Sequence, residues 1–190
     1  MRLQNLLEIK TGYSIRGKIE PVPKHNGDLQ LLQMKNLDPT LGVNGDLAYI
    51  KFQGKKAPEF LEKNDILFVG RGIRFFAVCL DQDMAETAAA PQLLVLKLRG
   101  DMSDKALPQF ITWYINSRQA QSFLHREATG TAVTHISKSS LEKMPIKLPD
   151  LSRQEQIVKL HELSVREKQI TEQLLNKKEK LIEHILSENI

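Results

Sequence analysis

From Ser152 to Ile190 the chain contains neither proline nor glycine. Gln, Glu, Lys and Leu dominate this stretch, and all are strong helix formers. Pro145 and Pro149 stand just upstream and forbid helix there. Ser152-Arg153-Gln154-Glu155 has the form of a capping box, with Ser152 as N-cap and Glu155 at the third helical position. Apolar residues recur at helical spacing: Ile157, Leu160 and Leu163, then Ile170 and Leu174, then Leu181 and Ile185 beside Ile182 and Leu186. A helix over 153–188 would be roughly 50–55 Å long. Such a rod outreaches a small domain, so its apolar stripe must meet another helix, in this chain or in a second copy. The heptads are imperfect: Ser164, Glu167 and Thr171 interrupt them, and Lys177 and Lys178 sit near the seam. A surface helix packed on its own domain is the blander reading. The preferred one is a dimerising helix, antiparallel or irregularly paired, that uses Ile157, Leu160, Leu163, Ile170, Leu174, Leu181 and Ile185.

The preceding residues differ in character. Gly, Pro, Asn and Asp punctuate short apolar runs. Strands are expected at Leu29–Met34, Asp46–Phe52, Ile66–Val69, Phe75–Leu80 and Leu93–Leu98. Helices are expected at Ala106–Asn116, Gln119–Arg126 and Ser137–Met144, with Trp113 and Tyr114 read as core residues. The class is α+β: a curved, mixed or antiparallel sheet within residues 1–150, then a long coiled-coil-like helix over 151–190.

Charge follows the same division. The formal net charge is +4, yet residues 152–190 balance seven Lys/Arg against seven Asp/Glu. The excess, 20 basic against 16 acidic residues, lies entirely before Ser152. A modest excess is common and does not identify a partner, but it places any polyanion site in the first region. With 41% apolar and 26% charged residues the chain is globular. No apolar run is long enough for a transmembrane helix, and Glu8 comes too early for a secretory signal. Cys79, the one cysteine, can form neither an internal disulfide nor a zinc cage, so a reducing cytoplasm is the expected setting.

Catalytic signatures are absent. Gly70-Arg71-Gly72 follows a predicted strand, but Phe75 occupies the third glycine position of a dinucleotide loop and no βαβ pattern surrounds it. No Gly-Lys-Ser/Thr phosphate loop and no Gly-x-Ser-x-Gly elbow occurs. His25, His125, His135, His161 and His184 have no metal-ligand spacing. The expectation is a non-catalytic chain without metal or cofactor.

Several segments together resemble the specificity (S) subunit of type I restriction–modification systems. Leu6-Leu7-Glu8-Ile9-Lys10-Thr11-Gly12-Tyr13-Ser14-Ile15-Arg16-Gly17-Lys18 looks like the opening of a target-recognition domain, a short helix followed by a turn. Leu31-Leu32-Gln33-Met34-Lys35-Asn36-Leu37 is similar to a family strand leading into a polar loop. Leu61-Glu62-Lys63-Asn64-Asp65-Ile66-Leu67-Phe68-Val69-Gly70-Arg71-Gly72 resembles its Asp-Ile-Leu strand, and Phe110–Ser117 its next helix. Most specific is the array from Gly130-Thr131 through His135-Ile136-Ser137-Lys138-Ser139-Ser140-Leu141 and Met144-Pro145-Ile146-Lys147-Leu148-Pro149 into Gln154-Glu155-Gln156-Ile157. It resembles the junction between a recognition domain and its helical spacer.

A full S subunit has two recognition domains and two spacers, whereas this chain holds one of each. It looks like a half subunit: a natural half-size protein, a fragment, or a silent recombination cassette. The resemblance implies binding of double-stranded DNA at half of a bipartite target and docking of methyltransferase subunits; homodimerisation through the helix is the expectation from the helix pattern and the half size. A non-DNA-binding adaptor on the same fold is the alternative. Base readout calls for Arg, Lys, Asn or Gln at base edges. The candidates are Arg71 and Arg74 around Gly72, and Lys35 with Asn36. Arg16 and Lys18 are candidates for phosphate. Thr131, Thr134, His135, Ser137, Lys138 and Ser139 form a polar cluster suited to phosphate clamping or to a loop-and-cap element.

Overall fold

The computed structural model describes residues 1–14, 19–52, 58–130 and 133–188. The elements run β1 (Leu7–Thr11), β2 (Leu29–Leu32), β3 (Leu37–Asp38), β4 (Gly42–Val43), β5 (Ala48–Ile50), β6 (Ile66–Val69), β7 (Phe76–Cys79), β8 (Thr87–Ala89), β9 (Leu93–Leu98), α1 (Pro108–Asn116), α2 (Arg118–Glu127), α3 (Lys138–Glu142) and α4 (Leu151–Glu188). The class is the expected α+β with a long C-terminal helix.

A four-stranded antiparallel sheet, ordered β1-β9-β6-β7, forms the centre. The continuous apolar runs Ile66–Val69 and Leu93–Leu96 sit inside it because both of its faces are covered. Their alternating side chains divide between two cores. Ile66, Phe68, Leu94 and Leu96 pack with Leu7, Ile9, Phe110, Ile111, Ile115 and Leu124 on the helical side. Leu67, Val69, Leu93 and Val95 pack with Leu32, Leu37, Leu61 and Ala89 on the other. That second face is covered by a mixed sheet, β5-β2-β8, in which β2 pairs antiparallel with β5 and parallel with β8. The sheets join closely: a Cβ at Gly12 would collide with the main-chain carbonyls of Ala89 and Ala90, so only glycine fits there.

Four strands lie outside the sequence expectation: β1, β8 and the two-residue pair β3 and β4. The short helix expected near the start is only a 3-10 turn at Leu3–Asn5, followed by β1. Leu7 and Ile9 are buried while Glu8 is exposed, which is strand period, and β9 supplies the hydrogen-bonding partner. The Ala-rich β8 carries little strand propensity of its own, but tight burial against β2 makes it a strand.

Near the end of β9, Lys97 pairs with Glu59, Glu62 and Asp65 at 3.1–3.3 Å. Burial alone would lower the lysine pKa; the carboxylates outweigh it and hold the ammonium above its ordinary value.

Pro108 occupies the first turn of α1, where its missing N–H costs nothing. Phe110, Ile111 and Tyr114 face the core, and Trp113 packs beside them. The Tyr114 hydroxyl donates to the Pro145 carbonyl at 2.9 Å.

The long helix forms as expected, with a different cap. Asp150 Oδ1 accepts from the Arg153 amide at 2.9 Å, so Asp150, not Ser152, caps α4. Ser152 already lies inside the helix because the helix starts two residues earlier than expected. Gln154 is wholly buried: its side-chain oxygen accepts from the Leu107 amide, and its nitrogen donates to the carbonyls of Lys105 and Pro149. Ile157 and Val158 pack on the helical-side core. Ile157, expected in the partner seam, therefore serves its own domain. Beyond Val158 only Val165 and Gln169 are half-buried and the other described side chains are exposed. At 1.5 Å per residue the 38-residue helix is about 57 Å long, so most of it projects away from the head.

Candidate nucleic-acid interface

Two loops distant in sequence lie side by side at one end of the central sheet. The first, Gly70–Phe75, connects β6 to β7; the second comprises Thr129 and residues 133–137, which lead into α3. The Ile136 amide donates to the Gly70 carbonyl at 2.7 Å, and the Gly72 amide donates to the Thr134 carbonyl at 3.0 Å. The Thr134 hydroxyl donates back to the Gly72 carbonyl at 2.8 Å. Arg71 and His135 form an antiparallel bridge, and Thr129 and His135 form another. Gly72 has φ +107°, a conformation open to glycine and strained for other residues. Phe75 anchors the far end of the first loop, 3% exposed and 5.4 Å from the His125 ring.

This pairing brings Arg71, Arg74, Thr134, His135, Ser137, Lys138 and Ser139 onto one rim. Arg71 and Arg74 are exposed, and neither has an ion-pair partner among the described residues. His135 is exposed, with Nε2 3.3 Å from the Thr129 hydroxyl. Lys138 lies 3.7 Å from Glu142, one helical turn on.

The polar cluster has a structural share. Ser137 is the N-cap of α3, accepting from the Ser140 amide at 3.0 Å. Ser139 is exposed and bonds Ser137 at 2.9 Å. Thr134 spends its hydroxyl on Gly72. Cap and loop lock thus account for Ser137 and Thr134, which leaves Arg71, Arg74, His135 and Lys138 facing solvent.

Other candidates stand apart. Lys35 is exposed on the turn after β2, and none of the hydrogen bonds that join the two loops involves it. Asn36 is 2% exposed and fully engaged inside the protein. It accepts from the Gln33 amide and donates to the carbonyls of Asn44 and Asp46. A buried amide with its bonds filled internally cannot reach a base edge, so Asn36 leaves the candidate set. Arg16, Lys18 and Thr131 lie outside the described residues. Leu160, Leu163, Ile170, Leu174, Leu181 and Ile185, expected in the helix seam, are all exposed, between 49% and 70%.

Ile73, at the tip of the first loop, gives no sign of its exposure in the sequence. In Gly-Ile-Arg-Phe-Phe it looks like one more core residue of the next strand, yet it is 95% exposed. Gln154 stands out in the sequence only as part of a motif, since a glutamine on a charged helix carries no sign of burial.

Among the described residues, no group of three His, Cys, Asp or Glu side chains could hold a metal ion, and no helix is long and apolar enough to cross a membrane. A comparison with curated proteins finds no significant match. The fold is shared with the type I restriction–modification S subunit from M. genitalium, with TM-score 0.56 and 16% identity over 90% of this chain and 39% of that one. The HsdS subunit from Thermoanaerobacter tengcongensis gives TM-score 0.56 and 17% identity over 88% of this chain and 36% of that one. A chain from a structural study of the complex assembly and conformational transition of the type I restriction–modification system gives TM-score 0.52 and 16% identity, over 93% and 39%. The chain thus spans about two fifths of the length of the structures it matches. The family profile described as the type I restriction modification DNA specificity domain covers residues 1–180. A match over nearly the whole sequence means that the chain belongs to the type I restriction–modification DNA specificity domain family.

Proposed function

We propose that the chain reads one half of a bipartite duplex target and carries no chemistry of its own. The observation that supports this most directly is the locked loop pair, which holds Arg71 and Arg74 unpaired beside His135 on a rigid rim. Guanidinium groups carried on short loops suit bidentate contact with guanine, and neighbouring cations and main-chain amides suit phosphate. The basic excess of residues 1–151 is consistent with this partner.

Helix α4 is the second functional part. Past Val158 the described leucines Leu160, Leu163, Leu174 and Leu181 and Ile170 are more than half exposed, which favours pairing with a second copy. Two copies joined through α4 would present two identical heads related by a two-fold axis. Their target would then be an interrupted palindrome, with the gap set by helix length. The helices and the sides of the heads would dock methyltransferase subunits, which perform the methyl transfer.

Purification of the full chain with its bound proteins, followed by mapping of modified bases in cells with and without it, tests the reading. Recovery of a methyltransferase subunit and loss of one interrupted-palindrome modification are the expected results. An unchanged modification map would sink it in favour of an adaptor role.

A further inference from the structure

Ile73 has no cover: at 95% exposed it stands out even from the apolar residues of α4, of which Leu160 is the most exposed at 70%. Elsewhere in the head the chain buries isoleucine thoroughly, as at Ile66, Ile111 and Ile136. The loop prevents this side chain from folding back. On one side Gly72 is fixed by two hydrogen bonds to Thr134; on the other Phe75 is set in the core. Isoleucine is itself stiff at χ1, so the side chain is a rigid knob on a rigid mount. Arg71 and Arg74, exposed and without ion-pair partners among the described residues, flank it.

A hydrophobic tip between two cationic arms matches a surface whose rims are anionic and whose interior is apolar. Duplex DNA has that arrangement, with phosphates outside and base faces and thymine methyl groups within. A protein socket would need an acidic ring around an apolar hole, a more special demand. We infer that Ile73 makes a specificity-determining apolar contact to the bases, either against a thymine methyl group or by partial insertion at a base step. The inference rests on the DNA-recognition reading and adds a residue that carries no charge and no hydrogen bond.

The test uses the full chain and a pool of random-sequence duplexes. The duplex enriched by the wild-type chain at fixed salt becomes the probe for Ile73→Ala and Ile73→Ser. Both variants are expected to weaken binding to that duplex by about tenfold, the usual cost of one disrupted base-pair interaction. They should also lose preference at one or two adjacent positions. Affinity for unselected DNA and the salt dependence should stay unchanged. Replacing thymine by uracil at the affected position separates the two sources: an equal loss there assigns the methyl contact. Brightening of 2-aminopurine at that step by the wild-type chain, and not by Ile73→Ala, assigns insertion. If Ile73→Ala enriches the same sequence with the same affinity, or weakens all duplexes equally, the contact is refuted while DNA recognition stands. If the wild-type chain enriches no sequence, both fall together. A thermal melt of each variant, expected to be unchanged for so exposed a position, guards against misfolding.

Discussion

Gly72 and Thr134 are 62 residues apart in sequence and joined by two hydrogen bonds, one in each direction. This link turns two surface loops into one rigid element. Thr134→Val keeps the shape and removes the hydroxyl that serves the Gly72 carbonyl. It is expected to cost about 1 kcal/mol of stability, seen as roughly 2–4 °C in a calorimetric melt. Gly72→Ala has open space for its methyl but forces alanine to φ +107°, at about 1–3 kcal/mol. Both should weaken DNA binding more than their loss of stability explains. Wild-type affinity in either variant would show that the lock does not position the rim.

Arg71 and Arg74 can be told apart by salt. An arginine on a guanine edge contributes roughly 1–3 kcal/mol of discrimination. Arg71→Ala or Arg74→Ala is expected to relax sequence preference in a competition binding assay. An arginine on phosphate behaves otherwise: its removal weakens all sequences equally, and the slope of log K against log salt falls by about 0.9 for each phosphate no longer neutralised.

Gln154 joins helix and head. Gln154→Ala leaves the Leu107 amide and the carbonyls of Lys105 and Pro149 without their partner in a buried place. The expected loss is about 2–4 kcal/mol, measured by urea denaturation. The same interactions set where the chain can be shortened. Ending it after Pro149 removes Gln154, Ile157 and Val158 from the core and should leave a head that melts early or aggregates. Ending it after Glu162 should leave a folded monomer with native near-ultraviolet circular dichroism.

The projecting part of α4 is open to a direct test. Leu174 and Leu181 are seven residues apart and more than half exposed, at 53% and 57%. The parent chain is expected to sediment as a dimer, and the double variant Leu174→Glu, Leu181→Glu as a monomer. Its melting temperature should lose the concentration dependence that association confers. A double variant that still dimerises would remove the helical pairing.

Burial pushes the Cys79 thiol up to about 12, with Asp65 and Asp81 adding to the effect. At pH 8 it should carry about a thousandfold less thiolate than an ordinary cysteine, and alkylation of this half-buried thiol by iodoacetamide should be much slower in the native than in the unfolded chain. Above pH 9 the unfolded thiol ionises while the folded one does not, so stability falls as pH rises from there toward 12. A Cys79→Ser variant should lack that alkaline component in a pH series of melts. Rapid labelling of the native chain at pH 8 would contradict the burial.

Much of the framework is legible in residue order, because it depends on local patterns. The strands at Ile66–Val69 and Leu93–Leu98 stand out as apolar runs, and α4 stands out by its lack of Pro and Gly and its helical spacing. Arg71, Arg74, His135 and Lys138 are legible as polar loop residues, and the family resemblance lies in short motifs in order. Tertiary packing decided the rest. It made β1 a strand by giving it β9, and it buried Asn36 and Gln154 by surrounding them with main-chain partners. It moved Ile157 into its own core, and it left Ile73 in water by fixing both ends of its loop. Periodicity and capping act over a turn or two of chain. Whether a polar side chain finds buried partners, or an apolar one finds cover, depends on segments tens of residues away and is settled only when they meet.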